Sequence, residues 1–334
     1  MSDIDIRIEG RAGRITLTRP QALNALSYDM CMAIDAALIA WRDDPAVDLV
    51  MFDALGPRAF CAGGDIAEMY ATGLRGDYDY GRKFWRDEYR MNAQIFEFPK
   101  PTVAFLHGFV MGGGVGVGCH AGLRIVGESS QVSMPECGIG LIPDVGGTML
   151  LAHAPGRMGE YLGTTGTRMG PADAILAGFA DVFLPEVEWD AAKSAMMESG
   201  RAELTGATPP PGKLAPLRES IDAHFAGETV SDIFRSLQGD DSEFARDTLK
   251  TLTRNAPFSM ACTVEMLHRL GDTPDIRTAL GLEYRYTHRA MEQSDFLEGV
   301  RAAIIDKDRN PRWRHADPDA VPGIEVSHIL LPLG

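Results

Sequence analysis

The sequence predicts an α/β fold in which a core of strands and helices is followed by a helical C-terminal region. Residues 4–8 and 14–18 alternate apolar and polar side chains around a Gly-Arg-Ala-Gly turn, which is typical of a β-hairpin. Residues 49–54 and 103–110 are short apolar runs that end at turn residues, as buried strands do. Beyond the proline-rich residues 205–211 the pattern becomes helical.

Capping and stop residues predict the next elements. Ser27 is an expected N-cap for a helix that ends at Trp41. Asp65 is expected to cap a helix that continues through Tyr70. Residues 84–98 form a further predicted helix, because two prolines stop the pattern directly before the central strand.

The second half of the chain is predicted to be mainly helical. Thr273 and Pro274 indicate the start of a long helix, as an N-cap followed by proline at the first helical position. One apolar face of that helix is marked by Ile276, Leu280, Tyr284, Thr287 and Met291. Other predicted helices cover residues 146–151, 161–163, 171–178, 230–237, 244–253 and 257–270, with a short strand at 182–184.

The proline-rich segment at residues 205–211 is the best candidate for a boundary between regions. It predicts a core over residues 1–204 that carries the functional site. It also predicts a helical region over residues 205–334 that packs on this core.

Composition narrows the class of protein. The chain has 334 residues, 45% hydrophobic and 24% charged, which is ordinary for a soluble globular protein. Its net charge of −15 argues against nucleic acid and anionic membranes as partners. The five cysteines form no C-x-x-C pair, which favours a reducing compartment and speaks against zinc or disulfides. The first ten residues lack the apolar segment of a signal peptide, so a cytoplasmic location is expected.

The stretch from residue 107 to residue 147 is the most informative part of the sequence. Gly112, Gly113 and Gly114 directly follow an apolar run, so backbone N–H groups there could approach a developing oxyanion. Glu136 and Asp144 lie further along, in an apolar and glycine-rich context. Two carboxylates near such N–H groups would supply a base or a nucleophile, which indicates acyl transfer.

Four simpler interpretations compete with this one. Residues 101–123 carry no Asp, Glu, Lys or Arg and are long enough to span a bilayer. Residues 116–121 fit the loose dinucleotide pattern G-x-G-x-x-A. Glu136 could be a solvated loop carboxylate, and Gly63 with Gly64 could form a simple tight turn before a helix.

Residues 60–66 and 110–118, together with Met-Pro-Glu ending at Glu136, resemble the crotonase (enoyl-CoA hydratase/isomerase) superfamily. The resemblance implies a spiral core of stacked ββα units with a helical C-terminal region. It also implies a coenzyme A thioester substrate, with coenzyme A as part of the substrate and no separate cofactor. By motif position, the N–H groups of Gly64 and Gly113 would hold the thioester carbonyl.

The resemblance also implies a lining for the substrate and an assembly state. Backbone near four residues would line the nucleotide and pantetheine side of the site: Ala25, Leu26, Ala62 and Ile66. Members of the superfamily commonly form trimers and pairs of trimers, so a homo-oligomer is expected.

The departures from the hydratase pattern indicate a hydrolase branch of the superfamily. Gly116 stands where hydratases carry their first catalytic glutamate, and Asp144 stands where they commonly have a small residue. Glu136 with Asp144, the helix around Glu88 and the tail from Glu283 onward resemble the branch that cleaves short-chain β-hydroxyacyl-CoA in valine breakdown.

The roles that this resemblance implies stay open in detail. Glu136 would attack the carbonyl or deprotonate water, and Asp144 would hold the substrate hydroxyl or orient water. Glu88 would bind the hydroxyl or tune Glu136. No metal is expected, because no His, Cys or Asp cluster has ligand spacing. The alternatives are an enoyl-CoA hydratase or isomerase that uses Glu136 alone, and a non-catalytic acyl-CoA-binding protein.

Overall fold

The computed structural model describes residues 3–271 and 275–333, and the chain divides into two compact units. Unit 1 consists of Met1–Asp65, Asp87–Ser133 and Arg168–Lys213. Unit 2 consists of Ile66–Arg86, Met134–Thr167 and Leu214–Gly334. The predicted division after residue 204 stays a prediction. The proline-rich segment at 205–211 lies within unit 1.

The strands of the described residues all belong to unit 1. A six-stranded sheet has the order β1-β2-β3-β5-β7-β9, and a three-stranded sheet has the order β4-β6-β8. β1 and β2 pair antiparallel, and every other pair is parallel. The strands are β1 (Ile4–Glu9), β2 (Ala12–Leu17), β3 (Leu49–Ala54), β4 (Ala59–Cys61), β5 (Thr102–Leu106), β6 (Phe109–Met111), β7 (Leu123–Val126), β8 (Gln131–Ser133) and β9 (Val182–Phe183).

Helices follow the strands in unit 1 and make up most of unit 2. They are α1 (Tyr28–Trp41), α2 (Ala67–Leu74), α3 (Asp79–Phe96), α4 (Gly113–Gly118), α5 (Gly147–His153), α6 (Met158–Thr165), α7 (Pro171–Leu176), α8 (Trp189–Ser199), α9 (Arg218–His224), α10 (Val230–Gln238), α11 (Glu243–Leu252), α12 (Pro257–Leu270), α13 (Ile276–Gln293), α14 (Phe296–Val300) and α15 (Gly323–Ile329). Short 3-10 turns lie at Pro20–Ala22, Glu136–Ile139, Glu186–Glu188, Ala215–Leu217 and Pro318–Ala320, and Arg301–Ile305 forms a π-helix.

The core of unit 1 lies where the larger sheet packs against α8. Trp189 of α8 contacts Phe105 of β5 edge to face, with ring centroids 5.3 Å apart. The apolar side chains that share this core are Ala12, Leu49, Met51, Val103, Ile125, Leu184 and Met196. In unit 2, α5 and α6 pack on each other and α12 packs against both, while α13 packs against α5.

Most predicted elements are confirmed. The N-terminal hairpin forms, and the Ser27 side chain accepts a hydrogen bond from the Met30 N–H at 3.3 Å, as expected of an N-cap. Asp65 was wrongly predicted as a cap, because α2 has Ile66 at its N-cap and the Asp65 carboxylate instead pairs with Arg19 at 2.8 Å. The helix predicted over residues 84–98 begins earlier, at Asp79.

The long C-terminal helix also forms. Thr273 and Pro274, its predicted start, lie outside the described residues. Within them, α13 runs over Ile276–Gln293, and the Asp275 side chain caps it by accepting from the Thr278 N–H at 2.8 Å.

The apolar run at residues 103–110 was predicted as one strand, and this is wrong. It forms β5 and β6, which belong to different sheets. Gly108 separates them with φ +55°, and a Cβ there would lie 2.2 Å from the Arg58 carbonyl oxygen. A side chain at this position would therefore be excluded both by backbone conformation and by contact. His107 Nε2 lies 2.6 Å from the Gly56 carbonyl oxygen.

Two of the competing interpretations do not fit this fold. The uncharged residues 101–123 form two strands and α4, and no helix of the described ranges is long and apolar enough to cross a membrane. Residues 116–118 are inside α4, so the G-x-G-x-x-A match does not form the turn ahead of a helix that dinucleotide binding needs.

Gly114→Ala is expected to lower the free energy of unfolding by about 1–3 kcal/mol, because its Cβ would lie 2.1 Å from the Cys61 carbonyl oxygen. Urea denaturation measures this change. Gly281→Ala is the matched control, since Gly281 lies within α13 and, apart from its chain neighbours and the backbone of its own helix, no described atom lies within 4 Å of an added Cβ. The control should gain about 0.5–1 kcal/mol. Equal stability of the Gly114 variant and the parent would contradict this close approach.

Candidate active site

Two glycine turns of unit 1 bring the predicted oxyanion residues together. A Cβ built on Gly113 would lie 3.4 Å from the Gly64 nitrogen and 3.2 Å from Glu88 Oε1. Gly63 has φ +122° and Gly112 has φ +49°, so both turns use backbone conformations that L side chains rarely adopt. The structure therefore places Gly64, Gly113 and Glu88 at one point of unit 1.

The N–H groups of Gly64 and Gly113 donate no hydrogen bond within the described part of the chain. The pairing of the chain around Leu26 with the chain around Gly64 explains why the Gly64 N–H has no acceptor. The Leu26 N–H donates to the Gly63 carbonyl and the Asp65 N–H donates to the Leu26 carbonyl, both at 2.9 Å. This parallel bridge uses the groups on either side of Gly64. Gly113 is the first residue of α4, where N–H groups have no acceptor inside the helix.

Asn24 holds the loop that carries Ala25 and Leu26. It is buried with φ +55°, and its amide donates to the carbonyl oxygens of Ala59 at 2.8 Å and Leu55 at 3.0 Å. Sequence reasoning gave Asn24 no role, although asparagine tolerates the left-handed conformation and is a familiar signal of such turns.

The remaining predicted lining residues are divided between the units. The Ala62 N–H donates to the Leu23 carbonyl at 3.1 Å, which ties the Gly63-Gly64 turn to the Asn24 loop of unit 1. Ala25 is half-buried and Leu26 is buried. Ile66 belongs to unit 2, where it is the N-cap of α2.

Glu136 is a buried carboxylate of unit 2. It begins the 3-10 turn Glu136–Ile139, and its Oε2 atom has no hydrogen-bond partner among the described residues. Burial raises the pKa of Glu136 well above its ordinary value, and the charges of Asp144 and Glu283 raise it further. A carboxylate with these properties is a stronger base than a solvated one, so the interpretation of Glu136 as a solvated loop residue is wrong.

Asp144 lies in the tight turn that leads into α5. It is buried, and its carbonyl accepts from the Gly147 N–H at 2.7 Å. The two residues between them, Val145 and Gly146, both have positive φ, at +55° and +79°. The charge of the Asp144 carboxylate raises the pKa of both Glu136 and Glu283, so the three acids interact electrostatically within unit 2.

Glu283 is an acid that sequence reasoning did not assign to the site. It is fully buried on α13, and its two oxygens accept from the Gly146 N–H at 2.8 Å, the Thr148 N–H at 3.0 Å and the Thr148 hydroxyl. Burial raises its pKa to about 8, against the lowering effect of those donors. The available signal was an acid between the apolar positions Leu280 and Thr287 of an amphipathic helix.

Metal binding has no structural candidate in residues 3–271 and 275–333, where no group of three or more His, Cys, Asp or Glu side chains could hold an ion. The absence of a metal from the reaction stays a prediction.

Comparison with known proteins shows to which class of protein this chain belongs. The family model described as enoyl-CoA hydratase/isomerase matches residues 12–330, and the chain belongs to that family. A crystal structure of an enoyl-CoA hydratase from Rhodobacter sphaeroides 2.4.1 has a TM-score of 0.98 at 58% identity, covering 100% of this chain and 98% of that one. The predicted crotonase-like core with its helical C-terminal region is thereby confirmed.

Within that class, curated relatives resemble this chain over their full length. The 3-hydroxyisobutyryl-CoA hydrolase of Gallus gallus is 37% identical, covering 100% of this chain and 90% of the relative. The human protein of the same name is 35% identical, with 98% and 88% covered. The predicted resemblance to these hydrolases is confirmed. Both relatives are described as mitochondrial, so the cytoplasmic location stays a prediction.

Glu136→Gln is expected to change how stability depends on pH. A carboxyl whose pKa is raised by folding contributes stability that is present below its unfolded pKa and lost as pH rises through its folded pKa. The free energy of unfolding of the variant relative to the parent should therefore increase from pH 4 to pH 8, by about 1.4 kcal/mol per unit of pKa elevation. Urea denaturation at both pH values tests this, and a constant difference would show that Glu136 titrates normally.

Proposed function

We propose that the protein hydrolyses short-chain β-hydroxyacyl-CoA thioesters, with 3-hydroxyisobutyryl-CoA as the first candidate, to the free acid and coenzyme A. The observation that carries the proposal is the buried pair Glu136 and Asp144, whose interaction raises the pKa of Glu136. Similarity to the curated 3-hydroxyisobutyryl-CoA hydrolases over nearly the whole chain supports it.

The carbonyl of the thioester is assigned to the N–H groups of Gly64 and Gly113. Neither N–H group has an acceptor in the described residues, and the two glycines lie close together. Donors arranged in this way stabilise the negative charge of a tetrahedral intermediate, and each is typically worth ~10²–10³ in rate. Because the donors are main-chain groups, the site needs no side-chain movement to form them.

Glu136 is assigned the reaction with the carbonyl carbon, by one of two routes. As a base, it takes a proton from water while the water oxygen attacks, and the C–S bond then breaks to release the thiol. As a nucleophile, it forms a mixed anhydride as the thiolate leaves, and water then cleaves the anhydride. Both routes consume one water and give one acid and one thiol. The raised pKa favours either, because it makes the ionised carboxylate more basic.

Asp144 and Glu88 are assigned to the substrate hydroxyl. An apolar acyl chain offers a carboxylate no hydrogen-bond donor, whereas a hydroxyl offers one, and hydrogen bonds to charged groups contribute about 1.5–3 kcal/mol. Both acids are at most 5% exposed, so their preference for a hydroxylated substrate should be strong.

Hydration or isomerisation of an enoyl-CoA is the second candidate, because a 58% identical structure bears the name enoyl-CoA hydratase. It would rely on Glu136 alone, since Gly116 lies buried inside α4 where a second catalytic glutamate would be needed. A purely binding protein is the third possibility, and it has no use for buried carboxylates such as Glu136 and Glu283 in unit 2, whose pKa values Asp144 raises. We also propose that the protein is cytoplasmic and that it forms a homo-oligomer.

The test compares 3-hydroxyisobutyryl-CoA with isobutyryl-CoA, using free thiol as the readout. We expect kcat/KM at least ~10² higher for the hydroxy ester, because sites built around a hydroxyl reject analogues that lack it. Asp144→Ala should shrink this ratio. Asp222→Ala is the matched control, since that carboxylate also belongs to unit 2 and, among the described residues, accepts from the Arg157 N–H and pairs with Arg218. Equal kcat/KM for both esters on the parent would rule out the assigned substrate class.

A further inference from the structure

The carboxylate of Glu283 makes an unusual set of contacts for a residue in the middle of a helix. It is 0% exposed, and its three hydrogen-bond donors come from only two residues, Gly146 and Thr148. These residues follow Asp144 by two and four positions. The contacts therefore join α13 to the turn that begins at Asp144.

That turn needs an external support. Val145 has φ +55°, which is an uncommon conformation for a β-branched residue and costs on the order of 1–3 kcal/mol. Gly146 continues the turn with φ +79° and is the N-cap of α5, without a side-chain oxygen of its own to accept the first N–H groups. Glu283 supplies the missing acceptors at this helix start, as a capping side chain ordinarily would.

An apolar residue would be the usual occupant of the Glu283 position. Burial of this carboxyl raises its pKa, and so does Asp144, so the fold disfavours the ionised form of Glu283. A buried acid that interacts with two other acids is the pattern expected at functional sites.

We propose that Glu283 is a positioning residue that fixes the Asp144–Thr148 turn and thereby directs the Asp144 carboxylate at the substrate hydroxyl. The inference rests on the proposed function, because it presumes that Asp144 recognises a hydroxyl. It adds a residue of α13 to the determinants of substrate choice, in a helix that otherwise supplies packing surface for α5.

Glu283→Gln tests the inference with little change of shape. One amide oxygen can still accept, but the NH₂ group faces donors at Gly146 or Thr148, so part of the support is lost. The ratio of kcat/KM for 3-hydroxyisobutyryl-CoA over isobutyryl-CoA should fall about tenfold or more, since small misplacements of a positioned group cost up to 10²-fold. Hydrogen exchange at the Gly146 and Thr148 amides should become faster.

Two further variants keep the test decisive. Thr148→Val removes only the hydroxyl donor and should lower the same ratio less, which preserves the test if Glu283→Gln does not fold. Asp173→Asn is the matched control, a buried carboxylate of unit 1 that accepts from the Lys213 N–H with both oxygens. It should leave the ratio unchanged.

The possible failures differ from one another. A folded Glu283→Gln variant with an unchanged ratio, or with equal losses on both esters, would overturn the inference alone. A parent protein that does not distinguish the two esters would overturn the proposed function, and this inference would fall with it. A lowered ratio in Asp173→Asn would also count against the inference, because any buried carboxylate would then have the same effect.

Discussion

The burial of three interacting carboxyls in unit 2 is the constraint on which the account of this protein depends. Glu136, Asp144 and Glu283 are each at most 5% exposed, and burial opposes the ionisation of Glu136 and Glu283. Moving charged groups out of water is expensive, and buried acids with strongly shifted pKa values are concentrated at functional sites. Three hydrogen-bond donors compensate for the burial of the Glu283 carboxylate. One carboxyl oxygen of Glu136, in contrast, has no hydrogen-bond partner in the described residues. This difference is the basis for proposing Glu283 as the supporting acid and Glu136 as the reactive one.

Unit 1 contributes main-chain hydrogen-bond donors, with the Glu88 carboxyl beside them. Main-chain N–H groups serve as donors only where no side chain blocks the approach, and the chain meets this condition with glycine at 63, 64, 112, 113 and 114. The Leu26–Gly64 bridge engages the neighbouring groups and leaves Gly64 N–H available. Asn24 in turn fixes the loop that makes this bridge. The proposed oxyanion site is thus built from backbone geometry, which a thioester carbonyl would meet already formed.

Local patterns predicted much of this fold. The hairpin, the Ser27 cap and the helix α12 (Pro257–Leu270) follow from alternation, capping chemistry and proline position, which act within a few residues. The break between β5 and β6 was missed because the apolar run is continuous through Val110. The cause of the break is a contact between Gly108 and Arg58, fifty residues apart in sequence. Asp65 was misassigned for a similar reason, since its partner Arg19 is distant in the chain.

The residues of the candidate site also separate into those that sequence motifs predict and those that depend on contacts between distant parts of the chain. Motif spacing was enough to predict four site residues from the sequence: Glu136, Asp144, Gly64 and Gly113. Their roles in the reaction stay proposals. Glu283 was not selected, because an acid within an amphipathic helix does not by itself indicate its partners, which lie more than 130 residues earlier in the chain.

The most direct test of the central claim is thiol release from 3-hydroxyisobutyryl-CoA by the parent and by Glu136→Gln, with enoyl-CoA absorbance followed in parallel. The substitution keeps the side-chain shape and removes the charge and the basic lone pair. The account predicts thiol release by the parent without enoyl-CoA hydration. In the variant, kcat should fall by at least ~10² while binding of the ester is largely retained. Turnover of the variant within tenfold of the parent would contradict the account, as would hydration without thiol release.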